Sequence, residues 1–388
     1  MGLAALDFDI GEKGMLILKK NAAYCLLLSF LILISGCYDS EDIDRRVIVN
    51  PIGIDSRPDG KILATFRMHM ISPANAGSSA KTTGSANYII RSSLTSGVFQ
   101  GLNNIQAQDD HTIFIGQCRA VIFGEDFAHA GLHPGLDFFS RIPTFPPTAY
   151  IIIGRPTAAA IQNINWPETE MHGQNIRWFF SNRPNHKYAI KKWSLFQKIF
   201  DPLQDPLIPI VTPWDNNRTM KLIGLAVFNE DRMVGDLNLT EATFLQLLIY
   251  PGKENLLTIP LSQNNQVSFH SITGKKKIKV YYRKDRPIFK FTLCLNAFLG
   301  ELTRGDKLPL TKKELELIQE RTENHLEKSL IKILKKLQIL KSDPLGLGNY
   351  FRAKQSKHFS IQKWPLHYRQ AKFEVDVKVF IERLGVLK

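Results

Sequence analysis

Phe373-Glu-Val-Asp-Val-Lys-Val-Phe-Ile381 sets apolar side chains at 373, 375, 377, 379 and 381 and charged ones at 374, 376 and 378. A period of two marks a strand with one buried face. The same alternation runs through Ile278, Val280 and Tyr282 and through Phe289, Phe291, Leu293 and Leu295, leaving Cys294 on a polar side. Between these strands Thr311 and Glu314 form a capping box, and Leu315, Ile318, Leu326, Leu330, Leu334 and Leu337 make one apolar stripe. Lys332, Lys335, Lys336 and Lys341 sit towards the end of that helix, where its dipole favours cations. Residues 271–388 therefore read as an antiparallel sheet packed by a long amphipathic helix.

Towards the amino terminus, Val47 to Ile54 and Ile62 to Met70 flank a Pro58-Asp59-Gly60 turn and form a hairpin. Residues 72–87, rich in Ser, Ala, Gly and Thr, read as a loop. A helix is expected over Ser92 to Gln106, a strand over His111 to Phe123, helical pieces over Asp126 to Ala130 and Leu136 to Arg141, and a buried strand over Ala149 to Ile153. Prolines at 167, 184, 202, 206, 209 and 213 make an extended connection around one helix between Tyr188 and Phe200. A strand over Leu222 to Phe228, a short return over Met233 to Gly235 and a helix from Thr240 to Tyr250 follow. The expectation is an α+β chain of three mixed α/β domains: 37–212 with the Pro-rich connection, a small central domain at 213–270, and 271–388.

Residues 1–36 read as a signal segment. Lys19 and Lys20 form a positive flank, Leu26 to Ile34 a short apolar run, and Ile34-Ser35-Gly36 place small residues before Cys37. The run is shorter than the about 20 residues of a transmembrane helix. Asp7, Asp9 and Glu12 carry the wrong sign for a signal start, so translation is expected to begin at Met15. An aliphatic-Ser-Gly-Cys sequence resembles a lipobox, in which the cysteine is acylated and the peptide cut before it. At about 0.8 kcal/mol per buried methylene, two or more acyl chains on Cys37 hold a protein on a membrane where one is marginal. An ordinary cleaved signal or an apolar amino-terminal helix is the alternative reading.

Removing residues 1–36 deletes three lysines and three carboxylates, so the remainder keeps the formal charge of +14. That surplus suits anionic membrane surfaces and polyanions. An exported chain without a nucleic-acid-binding motif is not expected to bind nucleic acid. Cys118 and Cys294 lie far apart and are read as two unpaired thiols.

The chemistry-bearing motifs have structural readings. His129 and His133 stand four apart, but Gly131 and Pro134 break the helix a metal pair needs. Asp109-Asp110-His111 reads as a solvated loop. Gly346-x-Gly348 follows a long helix instead of a strand, so it reads as a helix stop and not a phosphate loop. Lys275-Lys276-Lys277 reads as a solvated turn. No catalytic, cofactor or metal site is expected, and the chain is read as not an enzyme.

Several motifs in order carry a resemblance. Cys37-Tyr38-Asp39 is followed by Ile52-Gly53-Ile54-Asp55, by Val121-Ile122-Phe123-Gly124-Glu125-Asp126, and by Gly224-Leu225-Ala226-Val227-Phe228. Ser342-Asp343-Pro344-Leu345-Gly346-Leu347-Gly348, Trp364-Pro365 and Val375-Asp376-Val377 close the series. The chain resembles the Ger(x)C family, the C subunits of nutrient germinant receptors of spores; Tyr38 stands where that family has Trp. The resemblance implies a lipoprotein tethered through Cys37 to the outer face of the spore inner membrane, acting with membrane-embedded A and B subunits. The competing expectation is a solute-binding lipoprotein that captures the nutrient itself, which calls for a deep polar cleft.

Overall fold

The computed structural model describes residues 15, 19–27, 29, 45–70, 88–166, 172–182, 186–199, 201–261, 265–303 and 311–382. Two compact units are present, Met1–Arg45 and Arg46–Lys388. In the first, residues 19–27 are helical. Among the described residues no helix is long and apolar enough to cross a membrane. Cys37, with Tyr38 and Asp39, and the loop 72–87 lie outside the described residues.

The second unit opens with the expected hairpin, β1 (Arg46–Ser56) against β2 (Ile62–Met70), extended by β3 (Tyr88–Thr95) and followed by α1 (Val98–Gln106). The helix expected from Ser92 starts only at Val98, because Ser92 to Thr95 pair with Ile62 to Thr65 of β2. The single strand expected over His111 to Phe123 is two, β4 (Thr112–Phe114) and β5 (Ala120–Gly124), both parallel to β1. They pair on either side of Asn50-Pro51, where proline removes a ladder donor.

From β5 the chain crosses through α2 (Glu125–Ala130) and α3 (His133–Arg141) to β6 (Tyr150–Gly154), parallel to β5. A second crossover carries α4 (Ala158–Gln162), α5 (His172–Ser181), the short β7 (Ile190–Lys191) and α6 (Lys192–Ile199) to β8 (Leu207–Trp214), again parallel. Strands covered on both faces read as continuous apolar runs, and all five residues of β5 are buried. The proline-rich connection thus holds a helix, α5, that its sequence did not advertise.

Residues 213–270 divide between two sheets. β9 (Thr219–Asn229) and β10 (Arg232–Asn238) complete the first sheet, in the order β10-β9-β8-β6-β5-β1-β2-β3. α7 (Leu239–Ile249) follows, and then β11 (Asn255–Pro260) begins the second sheet. α7 opens with a capping box between Asn238 and Glu241 and buries Ala242, Phe244, Leu245, Leu247 and Leu248. A helix apolar all round is an interior helix, and α7 packs against β9, β10, β11 and the long helix beyond.

The second sheet pairs β11 with β12 (Gln266–Arg283) and β12 with β13 (Arg286–Thr303), both antiparallel. The expected capping box of Thr311 and Glu314 starts α8 (Lys312–Ile339), which buries Ile318, Leu326, Leu330, Ile333, Leu334 and Leu337. After α9 (Leu347–Lys354) and α10 (Trp364–Gln370) the chain returns as β14 (Lys372–Glu382). Reached by a helical crossover, β14 runs parallel to β13, so the helix-packed sheet is antiparallel except at this edge. α8 also covers that edge: Val377 N–H donates to Glu327 Oε1 at 2.9 Å and Val379 N–H to Glu323 Oε1 at 2.8 Å.

Candidate functional site

The segment Ser342 to Gly348 joins α8 to α9 and packs against the loop before β8 and the β9–β10 turn. α8 ends as Lys341 turns to a positive φ of 56° and Ser342 N–H bonds back to Leu337 O at 3.0 Å. Asp343 then caps α9: its carboxylate oxygens accept from Leu347 N–H and Gly348 N–H, each at 2.9 Å. At Gly348 a Cβ would lie 2.8 Å from the Trp364 indole, so only glycine lets α10 pack this closely.

The loop before β8, the β9–β10 turn and α10 hold this segment. Asp205 accepts from Asp343 N–H at 2.7 Å and from Glu230 N–H at 2.8 Å, and Asp205 N–H donates to Asp343 O at 3.1 Å. Gln204 Nε2 donates to Pro344 O at 3.1 Å, Asn229 Nδ2 to Lys341 O at 2.5 Å, and Tyr368 OH to Ser342 O at 2.6 Å. Hydrogen bonds from distant parts of the chain therefore converge on this short segment. A cleft of about 640 Å³ opens beside it, lined by residues that include His133, Asp201, Asp231, Lys341, Trp364 and Arg369.

Burial dominates the electrostatics. Loss of solvent pushes the Asp343 carboxyl up to about 7, against the pull of its backbone donors, and the neighbouring Asp205 carboxyl is raised for the same reason. The Tyr368 phenol is driven well above its ordinary value by burial and by the two carboxyls. Asp343 and Asp205 engage backbone N–H groups, so they hold chain segments together; the cleft beside them offers acids, bases and an aromatic wall to a polar guest.

The Gly53-Ile54-Asp55 motif works in the same way. Asp55 Oδ1 accepts from Ala158 N–H at 2.7 Å and Oδ2 from Ala159 N–H at 2.9 Å, so β1 caps α4. A Cβ on Gly124 would fall 2.0 Å from Asp55 Oδ1, so this motif and Val121-Ile122-Phe123-Gly124 meet at a contact that only glycine admits. Burial raises the Asp55 carboxyl, with its backbone donors opposing.

The other residues singled out in the sequence are scattered. His129 Nδ1 pairs with Met233 O at 2.8 Å, while His133 N–H donates to Asp231 Oδ2 at 3.0 Å from the next helix, so they do not form a ligand pair. Asp109, Asp110 and His111 do cluster: His111 Nδ1 lies 3.1 and 2.9 Å from the two carboxylates, and Arg91 Nη2 lies 3.5 Å from Asp109. Cys118 is buried, its thiol pushed up to about 12 by desolvation, and Cys294 is exposed on β13; both are free.

Lys275-Lys276-Lys277 requires a correction, since it lies inside β12 and not in a turn. Lys276 Nζ donates to Leu248 O at 2.5 Å and Ile249 O at 3.1 Å, a cation on the carboxyl end of α7. Long-range pairing with residues 292–294 decides the strand, which three lysines conceal.

Sequence reasoning also missed a buried cation. Arg67 is 1% exposed, and its Nη1 donates to Gln162 O at 2.6 Å and Ile164 O at 3.0 Å and lies 3.1 Å from His172 Nδ1, with Tyr88 stacked 3.5 Å from the guanidinium. His172 Nδ1 accepts from Trp166 Nε1 at 3.0 Å, which puts the ring proton on Nε2. Burial and Arg67 hold His69 down to about 4 and His172 well below its ordinary value. Arg67 sits in an alternating strand, Ile62 to Met70, at a position shared with buried neighbours; that register was its only signal.

Comparison with solved structures sets this fold beside the crystal structure of the GerBC protein, with a TM-score of 0.53 and 16% identity over 85% of this chain and 96% of that one. Along the sequence, residues 39–213 match the spore germination protein N-terminal domain, and residues 223–385 match the spore germination B3/GerAC-like C-terminal domain. The chain belongs to the Ger(x)C family of spore germination proteins. It is 25% identical to the putative spore germination protein YfkR of Bacillus subtilis (strain 168), across 95% of this chain and 98% of the relative. It is 22% identical to the spore germination protein GerQC of Bacillus cereus, across 95% of this chain and 99% of that protein.

Proposed function

We propose that this protein is the lipid-anchored C subunit of a spore nutrient germinant receptor, a non-enzymatic scaffold or signalling component held at the outer face of the spore inner membrane. The observation that carries this reading is the unbroken order of family segments, 39–213 and 223–385, starting two residues after the lipobox-like Cys37. Diacylglyceryl and acyl chains on Cys37 confine the body to the membrane, and confinement raises its effective concentration for the A and B subunits. The carboxylate hubs at Asp55, Asp205 and Asp343 fit a rigid body whose surfaces, and not a reacting centre, do the work. Cys37→Ala releases the protein from the membrane fraction and impairs nutrient-triggered germination; normal retention of that variant contradicts the proposal.

One observation favours a second reading. The cleft of about 640 Å³, with acids, Lys341, Arg369 and Trp364 around it, has the size and mixed lining of a small-molecule site. A subunit that captures the nutrient itself binds it saturably with the A and B subunits absent, and a flat titration of the purified protein removes this reading.

A further inference from the structure

The carboxyl-terminal half of α8 carries more positive charge than a helix end requires. From Lys328 to Ser342 the sequence holds five lysines and no Asp or Glu, whereas Glu314, Glu316, Glu320, Glu323 and Glu327 precede it. The helix dipole attracts cations within its last turn. Lys328 and Lys332 lie about three and two turns before Ile339 at 3.6 residues per turn, so Lys332, expected from the sequence to serve the dipole, stands beyond its reach together with Lys328.

The structure gathers these residues on one face. Lys328, Ile331, Lys332, Lys335, Lys336 and Ile339 line a depression of about 550 Å³. Lys336 pairs with Glu241 Oε2 at 2.8 Å, but Lys328, Lys332 and Lys335 are exposed and have no carboxylate partner among the described residues. Ile339, at 80% exposure, stands in the open at one end of the patch. The opposite face of the helix, with Leu326, Leu330, Leu334 and Leu337, is buried against the sheet, so this face has room for something outside the chain.

We propose that this face of α8 binds anionic lipid headgroups, seating the body on the membrane surface. Protein-binding patches are enriched in aromatics and depleted of lysine at their centres; this one is lysine and aliphatic, with no aromatic residue in its lining. Lysine stems can lie along Ile331 and Ile339 while their ammonium groups reach phosphates, as in interfacial helices. The proposal rests on the lipid-anchor reading. The eight residues from Tyr38 to Arg45 span at most roughly 30 Å when fully extended, which keeps an anchored body within reach of the headgroups.

The test uses the full chain on vesicles of phosphatidylcholine, with and without phosphatidylglycerol, and bromine-labelled lipid as quencher. In the acylated protein, Ile339→Trp adds a fluorescence component that is quenched with phosphatidylglycerol present and not in phosphatidylcholine alone. At about fivefold in surface affinity per lysine, K328Q/K332Q/K335Q weakens the contact on the order of 100-fold and removes that quenching. Equal quenching in both vesicles, or quenching that survives the triple substitution, overturns the proposal. So does shielding of the introduced indole that arises only when other membrane proteins are added, since the occupant is then an acidic protein. Flotation of wild type against Cys37→Ala on phosphatidylcholine judges the anchor separately. If the anchor fails, flotation of the unacylated chain with phosphatidylglycerol vesicles still decides the patch.

Discussion

Asp343→Asn separates the hydrogen-bonding role of this side chain from its charge. The asparagine oxygen keeps one of the two α9 donors and its NH2 confronts the other, which leaves a buried N–H unpaired at a cost of about 1–3 kcal/mol. That loss does not depend on pH. Charge acts differently, because a carboxyl whose folded value is raised binds its proton more tightly when folded. The stability it supports is present at low pH and is lost as pH rises from its ordinary 3.8 through about 7. Across that whole window the change is roughly 4 kcal/mol at about 1.4 kcal/mol per unit, and between pH 5 and pH 8 it is roughly 2–3 kcal/mol. His69, held down to about 4, works in the opposite sense below its ordinary 6.5 and is common to both proteins, so it cancels in the comparison. Denaturant unfolding followed by tryptophan fluorescence, to which Trp364 buried beside Gly348 contributes, measures both proteins at each pH. The deficit of Asp343→Asn shrinks by roughly 2–3 kcal/mol from pH 5 to pH 8. Parallel profiles refute the assignment of a buried, proton-holding carboxyl.

Gly124→Ala drives a methyl into Asp55 and uncaps α4; it destabilises by about 1–3 kcal/mol in denaturant titration, and combining it with Asp55→Ala gives less than the sum because both break one contact. Lys276→Met keeps the stem but frees the Leu248 and Ile249 carbonyls, lowering stability by about 1–3 kcal/mol and speeding amide exchange at the end of α7. In the native protein a thiol reagent labels Cys294 rapidly and leaves Cys118 unmodified at mildly alkaline pH, as mass mapping of modified peptides reads; labelling of both at equal rates contradicts the buried placement of Cys118.

Much of the second sheet was legible because its signals are local. Alternation at 289–295 and 373–381 and the stripe of α8 announce a sheet and a helix, and Thr311 with Glu314 marks the helix start to the residue. The direction of β14 was not legible, since alternation carries no strand polarity; only the crossover through α9 and α10 sets it. β12 was half seen, because Lys275 to Lys277 break the apolar pattern where the strand is held by its partner. Asp343 was visible as part of a helix stop, yet Asp205, which locks it, sits 138 residues away in a proline-rich loop and follows from nothing nearby. Arg67 was hidden because a buried guanidinium bonded to carbonyls looks, in sequence, like any surface arginine.

The account turns on the chain acting as a subunit within a membrane receptor. The most direct test is an affinity pull-down of the tagged, lipidated protein from gently solubilised spore membranes, with mass identification of what accompanies it. The account predicts co-recovery of a permease-like B subunit and a multi-span A subunit, in amounts that fall when Cys37→Ala replaces the wild type. Recovery of the protein alone, while its purified body saturably binds a nutrient, contradicts the account in favour of a solute-binding lipoprotein.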